Sequence, residues 1–294
     1  MDSPHTGTAV TAVNFGLKGP RGWAFRGVEC TAPAGSFIAI EGPSGSGRTC
    51  LLLALTGRMR ATEGHAEVGG LRLPKKMAGV RRVSALGPVA GVSELDSAFT
   101  VAEHLRERAL LQRRFDGSLR SLLRRPSVRR AAARARIDAA LAAAGLDLAS
   151  LPKGERTSVR DLERLEALRL SVGLALMSSP QLIAVDDADL KLSDAERAQA
   201  WELLRSVADA GTTVLAVCSE PPADALRIST ATDASRGDGA TGADTSAGAT
   251  TGTDAGTDAG TAADAAAATG AAKNTTQDTT EKGTADAFAE TGRS

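Results

Sequence analysis

Between Gly42 and Cys50 the chain reads Gly-Pro-Ser-Gly-Ser-Gly-Arg-Thr-Cys, glycine-rich and then abruptly charged and hydroxylated. Such a stretch suits a polyphosphate. Glycines let backbone N–H groups close around an anion, a following helix adds unpaired donors and the positive end of its dipole, and a hydroxyl can reach an accompanying cation. The run matches G-x-x-x-x-G-K-[ST] except at Arg48, where arginine replaces lysine. Arginine keeps the charge and offers a fork of donors, but it is longer and planar, so the exchange disturbs positioning more than binding. The candidate nucleotide contacts are Gly42, Pro43, Ser44, Gly45, Ser46, Gly47, Arg48, Thr49 and Cys50.

A second set of candidates is acidic. The apolar run from Gln181 to Val185 ends in Asp186 and Asp187, and the run from Thr212 to Val217 ends in Cys218-Ser219-Glu220. Ligands of an α/β sheet bind outside the carboxyl ends of its strands, which is where these residues fall.

Positioning them requires a parallel sheet. Phe37 to Ile40 reads as the strand that feeds the glycine loop, and Leu51 to Leu55 as the helix that leaves it. Thr8 to Leu17 and Ala24 to Thr31 alternate as half-buried strands around a turn at 19–22, and Glu63 to Leu73 forms a hairpin about Gly69-Gly70. Arg82 to Leu86 is expected as a short core strand. Residues 100–146 are helical in composition, interrupted at Asp116-Gly117 and Pro126. Ser158-Val159-Arg160-Asp161 has the form of a capping box opening a long helix, with Leu162, Leu165, Leu168, Val172 and Leu176 on one face and Ser179-Pro180 at its end. A further helix spans Ser193 to Ala210. Strands alternating with helices imply a parallel sheet covered on both faces, with an antiparallel portion beside it.

The chain has 294 residues and changes character near Ser229. Residues 229–294 are almost wholly Ala, Gly, Thr and Asp, too poor in apolar surface to offset the entropy of ordering, and are expected to be a disordered tail. The folded part is 1–228. The zero formal charge conceals a tail of net −6 and a folded part of net +6. Eleven of the arginines lie between Thr100 and Arg136, a basic surface for lipid headgroups or an ordinary solvated face. Only Phe115 interleaves that charge, so stacking of nucleic-acid bases is not expected. Three cysteines without metal-like spacing and the absence of a leader-like start point to a cytosolic protein. No apolar run reaches the ~18 residues of a membrane span, so work at a membrane needs a partner that crosses it.

The order of these elements resembles the ATP-binding cassette of ABC transporters over roughly residues 8–220. The resemblance is carried by Gly42 to Thr49, by Glu-Gly-His-Ala-Glu-Val-Gly-Gly at 63–70, by Phe-Thr-Val-Ala-Glu-His-Leu at 99–105, and by a long helix closing in Ser-Ser-Pro before the acidic strand. It implies a P-loop NTPase α/β core with an antiparallel β portion and an α-helical insert at about 100–175. It also implies ATP and Mg²⁺ as ligands, a second cassette as homo- or heterodimer partner, and a transmembrane transporter subunit, at the inner face of the cell membrane. By the same resemblance Thr49 and Asp186 hold Mg²⁺, Asp187 occupies the position of a glutamate that orients the attacking water, and Ser219 that of a γ-phosphate histidine. Trp23, with Phe15 second, is the aromatic nearest the position that stacks on adenine. Counted back from Ser179-Pro180, Arg169 falls on the family's helix arginine and residues 162–166 on its serine-glycine-glycine-glutamine signature, here Leu-Glu-Arg-Leu-Glu. A shifted alignment would use Thr157-Ser158 instead. The glutamine expected after the first core strand is missing, and Leu192-Ser193-Asp194 only echoes the family's D-loop. A working ATPase subunit, a catalytically silent nucleotide-binding partner and a soluble cassette acting on nucleic acid are the three functional classes open, the last disfavoured by a single cassette.

Overall fold

Alternating apolar residues bring two long strands together at the start of the fold. The computed structural model describes residues 7–115 and 126–230. The expected break at Asp116-Gly117, the tail beyond Thr230 and His5 lie outside those residues. β1 (Val10–Gly19) and β2 (Gly22–Ala32) pair antiparallel about the expected turn. Phe15 and Phe25 meet on the buried face at 5.8 Å between ring centroids. β4 (Glu63–Val68) joins the other edge of β1, and β5 (Leu71–Leu73) completes a four-stranded sheet in the order β2-β1-β4-β5.

The second sheet is parallel. β3 (Phe37–Glu41), β6 (Ser84–Leu86), β7 (Leu182–Val185), β8 (Thr213–Val217) and β9 (Leu226–Ser229) lie in the order β6-β7-β8-β3-β9. β7 and β8 are buried at every residue, as continuous apolar runs covered on both faces must be. Helix α1 (Arg48–Leu55) packs between the two sheets, burying Leu51, Leu52, Ala54 and Leu55 in the core formed with Phe15, Ile38 and Val217. The opposite face of the parallel sheet carries α5 (Arg164–Leu176) and α6 (Asp194–Asp209), whose Leu168, Val172, Trp201 and Leu204 share a second core with Val185 and Val214. α3 (Val101–Phe115) and α4 (Pro126–Ala143) form the helical portion, with a third apolar cluster around Leu105, Leu141 and Leu170.

Two expectations are corrected. The strand expected over Arg82 to Leu86 begins only at Ser84, because Met77–Val83 forms helix α2. Arg82 and Val83 belong to that helix, and its Arg81 donates to the Gly57 carbonyl at 2.7 Å, docking α2 beneath α1. Nor does the segment at Ser158 open the long helix. Val159–Asp161 is a single 3₁₀ turn, Leu162 is extended, and α5 starts at Arg164 with Glu163 as its N-cap. The tertiary structure has another use for Ser158. The Val159 N–H donates to the Phe99 carbonyl at 2.9 Å, the Val101 N–H to the Thr157 carbonyl at 3.0 Å, and the Ser158 hydroxyl to the Ser97 carbonyl at 3.3 Å. These bonds tether the start of α3, and a competing long-range pairing overrides a local capping preference.

One buried hydroxyl ties three segments together. Thr213 Oγ1 on β8 accepts from the N–H groups of Thr8 and Gly35, both at 3.0 Å, and donates to the Thr8 carbonyl at 2.7 Å. Thr213→Val keeps the shape and strands all three groups away from water. A loss of about 3 kcal/mol in unfolding free energy is expected from the unmade bonds, measurable by chemical denaturation.

Candidate nucleotide site

The glycine loop joins β3 to α1, and its conformation needs glycine for two different reasons. Gly45 and Gly47 both have φ of 82°, a region open to glycine at little cost. At Gly45 nothing lies near a built Cβ, so backbone conformation alone selects the residue, whereas at Gly47 a Cβ would fall 2.0 Å from the Ala24 carbonyl oxygen. β2 thus presses directly on the loop. Gly47 is also the N-cap of α1, with no side-chain cap and no acid in the first turn. The first N–H groups of α1 have no intrahelical partner by geometry, so the helix end is open to an anion.

Side chains from the first turn of α1 and from the end of β7 complete the site. Thr49 Oγ1 donates to Asp186 Oδ2 at 2.8 Å. The other oxygen, Asp186 Oδ1, is buried and has no hydrogen-bond partner among the described residues. Burial raises the Asp186 carboxyl above its ordinary pKa; the Thr49 hydrogen bond opposes that rise, and the nearby Asp187 charge adds to it. An orphaned carboxylate oxygen beside a threonine hydroxyl is a donor set that fits Mg²⁺. That ion takes oxygen ligands, keeps several waters and is held by one or two protein groups together with phosphate.

Arg48 crosses the mouth of the loop. Its Nη1 donates to the Cys218 carbonyl at 3.0 Å, and its Nη2 stands 4.0 Å from Asp187 Oδ1. Asp187 has φ of 46°, a conformation a non-glycine residue rarely adopts. With Asp186 it lines a cleft of about 370 Å³ bounded by Pro88, Val89, Leu190 and Arg164. The structure therefore gathers Gly42 to Thr49, Asp186 and Asp187 in one place. Ser219 is exposed at the end of β8.

Asp189 escaped the sequence reading, although it is the third acid in Asp186-Asp187-Ala188-Asp189. It is buried, and its Oδ2 accepts from the N–H groups of Ser219 and Glu220 at 2.8 and 2.9 Å. Arg197 Nη1 holds Glu220 at 2.9 Å. The segment after β8 is thus fixed by two acids and an arginine.

Of the aromatics, Phe15 is fully buried, leaving no face for a base, which removes it as a stacking candidate. Trp23 is 41% exposed, flanks the Ala24 carbonyl that meets Gly47, and carries Arg26 at 4.8 Å and Lys18 at 5.6 Å over its ring. Segment 162–166 lies at the N-terminus of α5, where Glu166 Oε2 accepts from the Glu163 N–H at 2.9 Å. Thr157 is fully buried and its hydroxyl accepts from the Lys153 N–H at 3.0 Å, whereas Ser158, the other residue of the shifted alignment, is half-buried and its hydroxyl donates to the Ser97 carbonyl. Arg169 links α5 to α6 through Gln199 at 2.9 Å. His104 packs against Phe99, with Nε2 3.2 Å from the Asp96 carbonyl.

The sequence pattern that defines the ABC transporter family matches residues 25–189. The chain belongs to the ABC transporter family. It is 30% identical over 209 residues to the Nod factor export ATP-binding protein I of Neorhizobium galegae, covering 71% of this chain and 50% of that protein. The daunorubicin resistance ATP-binding protein DrrA3 of Streptomyces coeruleorubidus is 30% identical over 193 residues, covering 65% and 54%. The chain thus spans about half the length of the curated relatives it matches. A dimeric post-hydrolysis ATP-binding cassette bound to ADP and Pi superposes with a TM-score of 0.55 at 21% identity, over 72% of this chain and 88% of the other. The cbiO1 protein of Clostridium perfringens, part of an ABC transporter complex, gives 0.56 at 17% identity, over 72% and 78%. These likenesses establish the P-loop NTPase fold of an ABC cassette. No helix among the described residues is long and apolar enough to cross a membrane.

The position of Asp186 predicts a pH dependence. Its raised pKa means that the fold disfavours the ionised form, a cost present above the folded pKa and relieved as pH falls through it. Asp186→Asn is expected to melt higher than the natural chain at pH 8, with the difference shrinking toward acid, in melting curves recorded across that range.

Proposed function

We propose that the chain is the ATP-binding subunit of an ABC-type transporter, holding Mg-ATP at Gly42 to Thr49 and hydrolysing it slowly to drive a membrane partner. One observation carries this reading: the Thr49 hydroxyl bonded to a buried, half-satisfied Asp186 directly beneath an uncapped helix N-terminus. In this reading the N–H groups of 43–49 and the end of α1 hold the phosphates. Arg48 leaves the Cys218 carbonyl and turns its guanidinium toward them. Thr49 and Asp186 hold Mg²⁺, which when bound neutralises phosphate charge. Trp23 offers its ring to the base, as an amphipathic aromatic can. Asp187 orients water, one methylene shorter than a glutamate, and a misplacement of about an ångström can cost ~100-fold in rate.

The chain would work at the inner face of the cell membrane with a transmembrane subunit and a second cassette. The relatives are named for Nod factor export and daunorubicin resistance, which makes an exporter the first system to test.

A second reading, an ATP-binding subunit that is catalytically silent, is favoured by the N-terminus of α5. Its N-terminal Glu163 N–H is occupied by the chain's own Glu166, and two carboxylates there repel a triphosphate. Such a subunit would pair with a cassette whose signature is intact.

Millimolar Mg-ATP is expected to raise the melting temperature of the full chain, and Gly47→Asp to abolish the shift. No shift in the natural chain sinks the nucleotide-site reading. For turnover, Asp187→Glu is expected to raise a slow ATPase rate about tenfold or more if side-chain length is limiting. An unchanged rate assigns the defect to the Glu163–Glu166 end of α5.

A further inference from the structure

Strand β9 is an edge strand with only Ile228 buried, yet its end is firmly held. Thr230 is 6% exposed; its N–H donates to the Glu41 carbonyl at 2.9 Å, and its hydroxyl lies 3.1 Å from that same oxygen. The hydroxyl also lies 2.5 Å from Ser46 Oγ in the phosphate loop, a contact spanning 184 positions of sequence. A carbonyl oxygen can only accept, so the Thr230 hydroxyl gives its proton to Glu41 and receives one from Ser46. The chain of donors therefore runs Ser46 to Thr230 to Glu41, from the loop to the strand that feeds it.

Ser46 is the residue between Gly45 and Gly47, the two positions with φ of 82°. Within the loop its N–H makes one bond, to the Pro43 carbonyl at 3.1 Å. Flanking glycines leave such a segment with much conformational freedom to lose on binding. A hydrogen bond from outside the loop removes part of that freedom in advance, and a ligand then meets a preformed cradle.

We propose that Thr230 is a positioning residue for nucleotide binding, a latch that holds the phosphate loop in its anion-ready shape through Ser46. The proposal rests on the reading of Gly42 to Thr49 as an ATP site. It places a determinant of affinity outside the phosphate motif and beyond the last strand.

The test is Mg-ATP affinity by calorimetry on the full chain, for the natural sequence, Thr230→Val, Thr230→Ser, Ser46→Ala and the Ser46→Ala/Thr230→Val double variant. Valine removes the hydroxyl and keeps the shape, and is expected to weaken binding about fivefold, the scale of one neutral hydrogen bond. Serine restores the hydroxyl and is expected to bind within about twofold of the natural chain. The double variant is expected to bind no more weakly than the weaker of the two single variants, since both remove one interaction. Thr230→Val binding as tightly as a natural chain that does bind overturns the latch and leaves the ATP site standing. Additive losses in the double variant, or no rescue by serine, also overturn it. A natural chain that binds no Mg-ATP overturns both. Should Thr230→Val fail to fold, Thr230→Ala takes its place in the double-variant cycle with Ser46→Ala, and unchanged affinity in either single variant, or additive losses, overturn the proposal.

Discussion

An anion-binding helix end must stay open while the rest of the helix is held still, and the architecture of this cassette follows from that constraint. A helix of eight residues is too short to be stable by its own hydrogen bonds, so α1 depends on tertiary burial. It obtains it from both sheets at once: Leu51, Leu52, Ala54 and Leu55 are all buried, while the N-terminal turn carries no cap. The antiparallel sheet thereby does more than close the core. Its strand β2 sets the Ala24 carbonyl against Gly47, so the β2 side of the loop is walled by backbone.

Charge is organised around the same opening. Asp186, Asp187 and Asp189 fall within four residues at the end of β7, and each meets a different partner. Thr49 takes Asp186, Arg48 approaches Asp187, and two backbone N–H groups take Asp189. Without these partners three adjacent carboxylates would repel one another in a partly buried site. The positive φ at Asp187 lets consecutive acids diverge, and such strain persists only where surrounding structure over-determines it.

The parts legible in sequence were those with strong local codes. Glycine spacing marked the loop, alternation marked β1 and β2, and continuous apolar runs marked β7 and β8. Each code acts within a few residues and survives tertiary packing because burial agrees with it. What stayed hidden was decided at long range. Ser158 reads as a helix cap by its neighbours, but its hydroxyl serves Ser97 and its segment serves the start of α3. β9 lacks a clear pattern because an edge strand with one buried residue carries almost no period. Asp189 finds its partners only when the end of β8, 30 positions further along the chain, is brought against it.

The departures from the family pattern are coupled rather than scattered. A longer cation at 48 faces a shorter acid at 187, and the two still come within 4.0 Å across the mouth of the loop. Ser219, which the resemblance sets at a histidine position, has no imidazole, while Asp189 and Arg197 fix the adjoining backbone through N–H groups and Glu220. At the α5 N-terminus the Glu163 N–H is taken by Glu166, where on the proposed reading a phosphate would need it open. Arg48 stands in the first turn of α1 and Asp187 beside Asp186, yet the Thr49–Asp186 bond itself is untouched, and on the proposed reading the altered positions are those that would meet a γ-phosphate, an attacking water or a second cassette. On the proposed reading ground-state binding draws on the loop and the Thr49–Asp186 pair, and rate draws on the altered positions, because only interactions strengthened in the transition state accelerate chemistry. On that reading a chain altered in this way holds nucleotide but turns it over slowly.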